Sequence, residues 1–302
     1  MVPLTIFILC HNRPSYAKQA IESVLRLTEA SYTLVVSDNS SNEEVERMVT
    51  AEFPQVTYRR RMPMLPPLAH FNRCVEEADT DYFCLFHDDD LLLPEFAKTM
   101  MQCAREHPEA IAIGCNAYIE RFGKLETRTS FRSFRKREIL TSMRDLAARY
   151  FSRAQSGFPP FPGYIYNRSM VNSQRFPPEG GKYVDVTWLL GLIRKGLVVW
   201  ITQPLMIYRT HGGNDGLTES PRDRLRLLGF LKQNSGCLGK DILQDYRYAF
   251  LYRKIAQDMR AGHSLRRRVA IAFIKHFRRA RYFRLDYYRA LAVRAWVKWK
   301  VE

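Results

Sequence analysis

The sequence predicts an α/β fold in which helices flank a mainly parallel central sheet, with a basic helical extension at the C-terminal end. Apolar runs of strand length alternate with helical periodicity over residues 1–220. One of these runs ends in an acidic cluster at residues 87–90, and the pattern beyond residue 220 is helical and strongly basic. Strands that alternate with helices imply right-handed crossovers, which produce a parallel sheet.

The first half of the chain contains five predicted strands with helices between them. Apolar runs predict strands at residues 4–10, 32–36, 56–58, 82–87 and 110–118. Helical periodicity predicts helices after Pro14, with Ser15 as the N-cap, at residues 43–53 and 69–78, and after Glu95. This order is that of repeated βαβ units.

The second half contains a turn-rich loop, a helix and two further strands. The loop at residues 156–163 is rich in glycine, proline and phenylalanine. A helix is expected to open at residues 183–186 and to end near Gly196. Strands are predicted at residues 197–201 and 205–209, and a turn at residues 210–214 follows them. From residue 221 onward the pattern is helical throughout.

The positive charge is concentrated in the C-terminal quarter. The whole chain carries a formal net charge of +16, and residues 221–302 contain 21 Lys and Arg against 6 Asp and Glu. A basic block of this kind seeks a polyanion, either nucleic acid or an anionic membrane surface. We therefore expect two parts, an α/β domain over residues 1–220 and a basic helical region over residues 221–302.

Composition excludes several classes of protein. No apolar stretch approaches the ~20 residues that span a bilayer, and the N-terminal segment reads as a first strand rather than a signal peptide. The six cysteines lie inside apolar patterns, and no pair has CxxC spacing. A zinc site or a disulfide framework is therefore not expected, and a reducing cytoplasm fits the chain.

The acidic cluster is the most informative feature of the sequence. Three adjacent carboxylates (Asp88, Asp89 and Asp90) repel one another and need a cation or strong donors to hold them together. Their place at the carboxyl edge of a sheet is where ligands bind in open α/β folds. The alternative is a solvated turn in which an aspartate caps the next helix, although one aspartate would suffice for that.

Five segments in order resemble the family 2 glycosyltransferases with the GT-A fold. They are residues 8–14 (ILCHNRP), 35–40 (VVSDNS), 87–90 (HDDD) with Pro94, 184–185 (VD) before a helix with Gly196, and 208–211 (YRTH). The resemblance covers about the first 215 residues. It implies a GT-A, Rossmann-like fold and transfer of a sugar from a nucleotide-sugar donor.

The resemblance also implies where the donor binds. Asn12 and Arg13 would lie beside the nucleotide, and Asp38 would accept a hydrogen bond from the base, which is most often uracil in this family. From the residue alone, Asp38 equally suits a turn at a strand end. Asp88 would contribute to the nucleotide site. His87 replaces the usual first acid, and it would either donate to ribose or phosphate or pack at the strand end.

A divalent cation and a catalytic base are implied as well. Asp89 stands at the position that binds Mn²⁺ or Mg²⁺, and His211 matches a position that often holds the metal or the diphosphate, although a lone histidine also serves structural roles. Asp185 would be the base that deprotonates the acceptor hydroxyl in an inverting transfer. As a helix N-cap, Asp185 would have a purely structural role.

Two further regions concern the acceptor and the membrane. Phe158 and Phe161 lie in the loop where the family places its acceptor, and they would stack on sugars or belong to the core or a lid. A helix capped by Ser264 and an apolar stripe at residues 288–299, bordered by Arg and Lys, suit an interfacial helix on anionic lipid. Packing on the catalytic domain is the alternative.

We therefore expect an inverting glycosyltransferase that uses a UDP-sugar and a glycan or lipid-linked acceptor. It would be cytoplasmic and peripherally associated with the inner face of the cytoplasmic membrane. A sugar-phosphate nucleotidyltransferase is one alternative, but the loop at residues 10–14 lacks the glycines of that class. A nucleic-acid-binding protein is another, but no helix-turn-helix, zinc or RNP-type signature is present, and no nucleic acid is expected as a partner.

Overall fold

The computed structural model describes residues 4–28, 31–151, 157–212 and 220–247 of the 302 residues. The helix predicted after Ser264 and the apolar stripe at residues 288–299 lie outside the described residues. The membrane role assigned to these two segments, and the division of the chain into residues 1–220 and 221–302, therefore stay predictions.

Ten strands and nine α-helices occur among the described residues. The strands are β1 Leu4–Cys10, β2 Tyr32–Asp38, β3 Thr57–Arg60, β4 Tyr82–His87, β5 Leu91–Leu92, β6 Ala110–Arg121, β7 Lys124–Thr129, β8 Arg137–Leu140, β9 Tyr164–Asn167 and β10 Leu197–Thr210. The helices are α1 Pro14–Leu25, α2 Glu44–Glu52, α3 Pro67–Glu77, α4 Phe96–Glu106, α5 Met143–Phe151, α6 Arg168–Val171, α7 Val184–Leu192, α8 Pro221–Gln233 and α9 Ser235–Leu238. Short 3₁₀ helices occupy Phe161–Gly163 and Pro178–Tyr183.

All ten strands belong to one sheet. Its order is β3-β2-β1-β4-β9-β6-β10-β5, with β7 paired to β6 and β8 paired to β10. The long pairings, of β1 with β2 and β4 and of β6 with β10, are parallel. The antiparallel pairings of β5, β7, β8 and β9 are short. The structure thus confirms the α/β class and the mainly parallel sheet.

Both faces of the sheet are covered, as a parallel sheet requires. Successive side chains of a strand point to opposite faces. In β1, Ile6 and Ile8 join a core with α1, α2 and α4, whereas Phe7 and Leu9 join a second core with α3, α5 and α7. This double burial explains why β1 is apolar along nearly its whole length.

The described start of the C-terminal region packs on this second core. Leu227 and Leu231 of α8 and Leu238 of α9 are fully buried in it. The Tyr246 hydroxyl donates to the main-chain oxygen of Arg224 at 2.9 Å. The first 25 or so residues after Ser220 are therefore held by apolar contacts with the catalytic part.

Three details differ from the sequence predictions. The strands expected at residues 197–201 and 205–209 form the single strand β10, because a bulge around Pro204 carries the pairing with β6 past the proline. The Ser15 cap is wrong. The N-cap of α1 is Arg13, and Pro14 at the first position fixes the helical φ without a side-chain cap. Helix α7 ends at Leu192 rather than near Gly196.

A buried amide joins the strands at the irregular part of the sheet. The Asn116 side chain donates to the main-chain oxygens of Phe131 and Thr202, each at 2.9 Å. Its Oδ1 accepts from the amide of Phe131 at 3.1 Å and from the hydroxyl of Ser130 at 2.8 Å. One side chain thereby satisfies backbone groups of Thr202 at the β10 bulge and of Phe131 beyond β7.

We predict that Asn116→Ala lowers the free energy of unfolding by about 2–4 kcal/mol, because several buried backbone groups lose their partner. Urea denaturation followed by circular dichroism measures the change. The matched control is Gln102→Ala, which removes an exposed amide that bonds Glu106 on the surface of α4. Equal stability of the two variants would contradict the role assigned to Asn116.

Candidate active site

The predicted site residues meet at the carboxyl edge of the sheet. Strands β1, β2 and β4 are adjacent and parallel, and their register pairs Cys10 with Asp38 and Leu9 with His87. The loops that follow these strands therefore leave the sheet side by side. The loop after β1 carries Asn12 and Arg13, the loop after β2 begins beyond Asp38, and the loop after β4 contains the acidic cluster.

The first two loops are fastened to each other. Asn12 has a φ of 55°, which asparagine tolerates better than most residues. Its amide N–H donates to Ser40 Oγ at 2.8 Å, and its Oδ1 accepts from the amide of Ser41 at 2.9 Å. His11 Nδ1 lies 2.8 Å from the main-chain oxygen of Asn39. The loop that presents Arg13 is thus fixed by the protein itself.

The three aspartates are buried together, and cations surround them. The Arg13 guanidinium forms ion pairs with Asp88 and, at 2.7 Å, with Asp89 Oδ2. The amide of His11 donates to Asp88 Oδ2 at 3.1 Å. Asp88 and Asp90 are almost inaccessible to solvent. The repulsion among the three carboxylates, inferred from the sequence, is therefore offset in part by the positive charge of Arg13.

Strand β10 supplies the other side of the site. The amide of Arg209 donates to Asp90 Oδ1 at 2.8 Å, and its Nε donates to the main-chain oxygen of Asp89. His211 Nε2 lies 3.0 Å from Asp89 Oδ2. Tyr16 of α1 stacks on His211 and lies under the Arg209 guanidinium. The sequence analysis gave Arg209 no role of its own within the segment 208–211 and missed Tyr16, since nothing local to either residue signals a contact across nearly 200 positions.

These surroundings make the three carboxyls unequal. Burial raises the pKa of Asp88 to about 6 despite Arg13, and burial together with the charge of Asp89 raises the pKa of Asp90 well above its usual range. Burial also pushes the pKa of Asp89 upward, but His87, Arg13 and His211 outweigh it and lower that pKa. Asp89 is therefore the carboxyl whose ionised form is most favoured.

The residues at the cluster fit a divalent cation. His87, Asp89 and Asp90 each offer a ligand atom, and these atoms lie within 4.8 Å of one another. Asp90 Oδ2 is buried and has no hydrogen-bond partner among the described residues. Carboxylate oxygens with one imidazole suit Mn²⁺ or Mg²⁺. The structure therefore offers His87 and Asp90 as possible ligands beside the predicted ligand Asp89. His211, the other predicted ligand, instead forms a hydrogen bond with Asp89.

Asp38 lies at the end of β2, below the surface. Its Oδ2 accepts from the Tyr58 hydroxyl at 2.6 Å, and its Oδ1 accepts from the amide of Ser40 at 2.9 Å. A guanidinium nitrogen of Arg60 lies 3.7 Å from Asp38 Oδ2. The side chain of the neighbouring Asn39 bonds both backbone groups of Leu65. Base recognition by Asp38 stays a prediction.

Asp185 is half-buried in the first turn of α7. Burial raises its pKa to about 6, although the amides of Val186 and Asp185 itself favour the charged form. Tyr208, which precedes Arg209 on β10, has its pKa raised to about 12 by burial and then by the charges of Asp90, Asp89 and Asp185. Tyr208 thus lies within electrostatic reach of both the acidic cluster and Asp185.

The aromatic loop borders the site through one of its two phenylalanines. The Phe161 ring centroid lies 5.5 Å from that of His87, and Phe71 is 5.7 Å from Phe161. Phe158 instead packs on Tyr150 at 4.3 Å and is partly exposed. His87 therefore packs against aromatic rings at the strand end and also faces the cluster, so the two alternatives for His87 are not exclusive.

We predict that Arg13→Gln tightens binding of free Mn²⁺ about tenfold in the absence of nucleotide. The guanidinium holds the same Asp89 oxygen that a cation would use, and removing one positive charge this close is worth on the order of 1.4 kcal/mol. Isothermal titration calorimetry measures the affinity. Arg26→Gln, at the exposed end of α1, is the control. An unchanged Mn²⁺ affinity in Arg13→Gln would refute the competition.

Comparison with known proteins was made for sequence and for structure. Residues 5–170 match the family described as Glycosyl transferase family 2. CgeD of Bacillus subtilis is 28% identical over 123 residues, which are 36% of this chain and 28% of that protein, so the match spans little more than a quarter of CgeD. The GalNAc(5)-diNAcBac-PP-undecaprenol beta-1,3-glucosyltransferase of Campylobacter jejuni is 21% identical over 282 residues, 86% of each chain.

Solved structures share the fold at low sequence identity. The crystal structure of TarS 1–349 from S. aureus has a TM-score of 0.63 and 12% identity, and the match covers 91% of this chain and 80% of that one. The mannosyltransferase PcManGT from Pyrobaculum calidifontis has a TM-score of 0.54 and 12% identity, with 97% and 84% covered.

The family match agrees with the resemblance read from the five sequence segments, and the structural neighbours agree with the predicted fold. No helix among the described residues is both long and apolar enough to cross a membrane. The chain belongs to glycosyl transferase family 2 and is a glycosyltransferase with the GT-A fold.

Proposed function

We propose that this glycosyltransferase inverts the anomeric carbon as it moves a sugar from a UDP-sugar to a glycan or lipid-linked acceptor. The observation that carries the proposal is the acidic cluster beside two fixed loops at the carboxyl edge of the sheet. Two similar proteins support the choice of substrates. TarS has been solved with UDP-GlcNAc, and the Campylobacter relative is named as a glucosyltransferase on an undecaprenol-linked glycan.

The donor diphosphate would lie between the loop at residues 11–13 and the acidic cluster. Arg13 is half-buried and lies on the cluster, so its guanidinium can turn from Asp89 to a phosphate oxygen with little movement. His87, Asp89 and Asp90 would hold Mn²⁺ or Mg²⁺. When bound, that ion offsets the charge that builds on the leaving diphosphate. A solved neighbour contains GDP-Man together with Mn²⁺.

The acceptor would approach from the side of Asp185 and Phe161. In the transfer, the acceptor oxygen forms a bond to the anomeric carbon as the bond from that carbon to the diphosphate oxygen breaks. The hydroxyl proton passes to an Oδ of Asp185. Attack from the face opposite the leaving group inverts the configuration. The charges of Asp185 and of the cluster both act on Tyr208, and this shared neighbour supports Asp185 as a base close to the donor site.

The cellular setting follows from the proposed acceptor. A lipid-linked glycan lies at a membrane, and the basic residues 221–302 would hold the enzyme on the inner face of the cytoplasmic membrane. The expectation that no nucleic acid binds stays a prediction, because most of this basic region lies outside the described residues.

A donor screen tests the proposed function. The protein is mixed with UDP-, GDP- and dTDP-sugars, each with and without Mn²⁺, and thermal unfolding is followed. The expected result is a rise in melting temperature with a UDP-sugar that is larger when Mn²⁺ is present, because a ligand of the native state stabilises it. No shift with any nucleotide sugar would overturn the proposal.

We predict that Asp185→Asn lowers the transfer rate at least ~10²–10⁴-fold and leaves donor affinity within about twofold, since the amide cannot accept the proton. Sugar transfer is measured with radiolabelled donor, and donor affinity by calorimetry. Asp145→Asn is the matched control, because Asp145 lies in the first turn of α5 but is exposed. Wild-type transfer by Asp185→Asn would show that the base is another group.

We also predict that the transfer rate falls as the pH drops through about 6. Burial raises the Asp185 pKa to about 6, and only the ionised carboxylate can accept a proton, so activity is present above that pH and lost below it. The facing Tyr150 and Tyr166 have pKa values raised by burial and stay neutral there. Asp88 titrates in the same range, so donor affinity is measured at each pH to separate binding from catalysis. A flat profile between pH 5 and 7 would contradict this assignment.

A further inference from the structure

The hairpin formed by β6 and β7 projects from the sheet beside the candidate active site. Strand β6 is buried up to Ala117, and its last four residues and most of β7 are exposed or only partly buried. Arg121 pairs with Lys124, which leaves Phe122 and Gly123 as a two-residue turn. The amide of Phe122 donates to the main-chain oxygen of Thr210 at 2.9 Å. The turn is therefore anchored one residue before His211.

Phenylalanine is an unusual residue at the first position of a two-residue hairpin turn. Its φ is 49°, in the left-handed region, and Gly123 follows with a φ of 79°. Two-residue hairpin turns of this kind favour asparagine, aspartate and glycine, and a bulky residue there is strained. The Phe122 side chain is also 76% exposed, so burial in the protein does not offset the strain. Folding gives no reason for a phenylalanine at this turn.

The turn forms the centre of a larger apolar and basic surface. Leu125 is 52% exposed and Tyr118 is also exposed, so apolar side chains extend down the hairpin from Phe122. The hairpin, residues 118–129, contains Arg121, Lys124 and Arg128 against Glu120 and Glu126. Arg121 and Arg128 both pair with the single Glu126, which neutralises only one of them. Basic side chains therefore border the apolar tip.

We propose that the β6–β7 hairpin docks the enzyme on an anionic membrane, with Phe122 and Leu125 inserted at the boundary of headgroups and acyl chains. Apolar side chains bordered by Arg and Lys are the chemistry that binds such a surface. Phe122 lies at the tip of the turn and is 76% exposed, which suits insertion into lipid. A nucleic acid or an acidic glycan would use the basic side chains but would leave the exposed Phe122 and Leu125 without an apolar partner. The exposed apolar side chains together with the basic ones therefore favour anionic lipid as the partner.

The position of the hairpin gives this contact a consequence for the reaction. Thr210 bonds the hairpin turn, and His211 bonds Asp89 in the acidic cluster. A membrane at the hairpin would therefore lie close to the acidic cluster, which would keep a lipid-linked acceptor near the donor site. This consequence rests on the proposed function, whereas membrane binding itself does not.

The test uses the full-length chain and the variant Phe122→Asn. Asparagine suits a positive φ better than phenylalanine, so the melting temperature should stay level or rise. Co-sedimentation with vesicles of phosphatidylcholine and about 30% phosphatidylglycerol should weaken roughly tenfold, since the inserted apolar group is lost. If the melting temperature stays level or rises while vesicle binding falls, the loss of binding cannot be explained by partial unfolding of the variant.

Two further variants sharpen the result. Phe122→Trp keeps a large aromatic side chain and should bind the vesicles as well as the wild type. Ile139→Asn is the matched control, because Ile139 is 49% exposed on β8, which pairs with β10 at Val198–Ile201, away from Thr210. This variant should also bind as the wild type does.

Two outcomes would overturn the proposal. One is vesicle binding by Phe122→Asn equal to that of the wild type. The other is a loss of binding to DNA or an acidic polysaccharide with no change on vesicles. Transfer to a water-soluble acceptor should be the same in Phe122→Asn and the wild type. An absence of transfer by the wild type would count against the proposed function alone, because vesicle binding is measured without substrate.

Discussion

Three consecutive carboxylates lie buried at the end of β4, and most of the site depends on how their mutual repulsion is offset. The compensating groups come from distant parts of the chain. Arg13 lies in the loop after β1. Arg209 lies near the end of β10, and His211 follows that strand. Like charges this close cannot all ionise in a dry environment, so the neighbours decide which carboxyl stays charged. Asp89 is the carboxyl whose ionised form is most favoured, and it is one of the three groups that fit a divalent cation.

The topology of the sheet is what makes this compensation possible. Parallel strands β1, β2 and β4 end at one edge, and β10 reaches the same edge through its short antiparallel contact with β5. Asn12 and Ser40 lock the first two loops together, so Arg13 is positioned before any ligand arrives. Because the site is built on strand ends, the side chains that offset the charge of the aspartates are held in fixed positions.

The sequence predicted the local features of this arrangement well and the distant contacts poorly. The strand β1 and the acidic cluster follow from composition and period over a few residues. By contrast, Arg209 reads locally as an ordinary strand residue, and its role depends on a contact with Asp89 and Asp90. Strand β9 was also missed, because its four aromatic-rich residues follow a proline-rich loop and pair antiparallel between β4 and β6. The residues of β10 were predicted as two strands, because a bulge cannot be inferred from one strand alone.

Strand β10 is the element through which the separate parts of the molecule act on one another. Tyr208 interacts electrostatically with both the cluster and Asp185, Arg209 and His211 contact the cluster, and Thr210 anchors the β6–β7 hairpin. These residues are consecutive, so a displacement of the end of β10 would move donor-side, acceptor-side and membrane-side contacts together. The pairing with β6 over eleven residues resists such a displacement. The enzyme therefore needs no separate device to keep its acceptor entrance and its donor site in fixed relation, because a single well-paired strand already connects them.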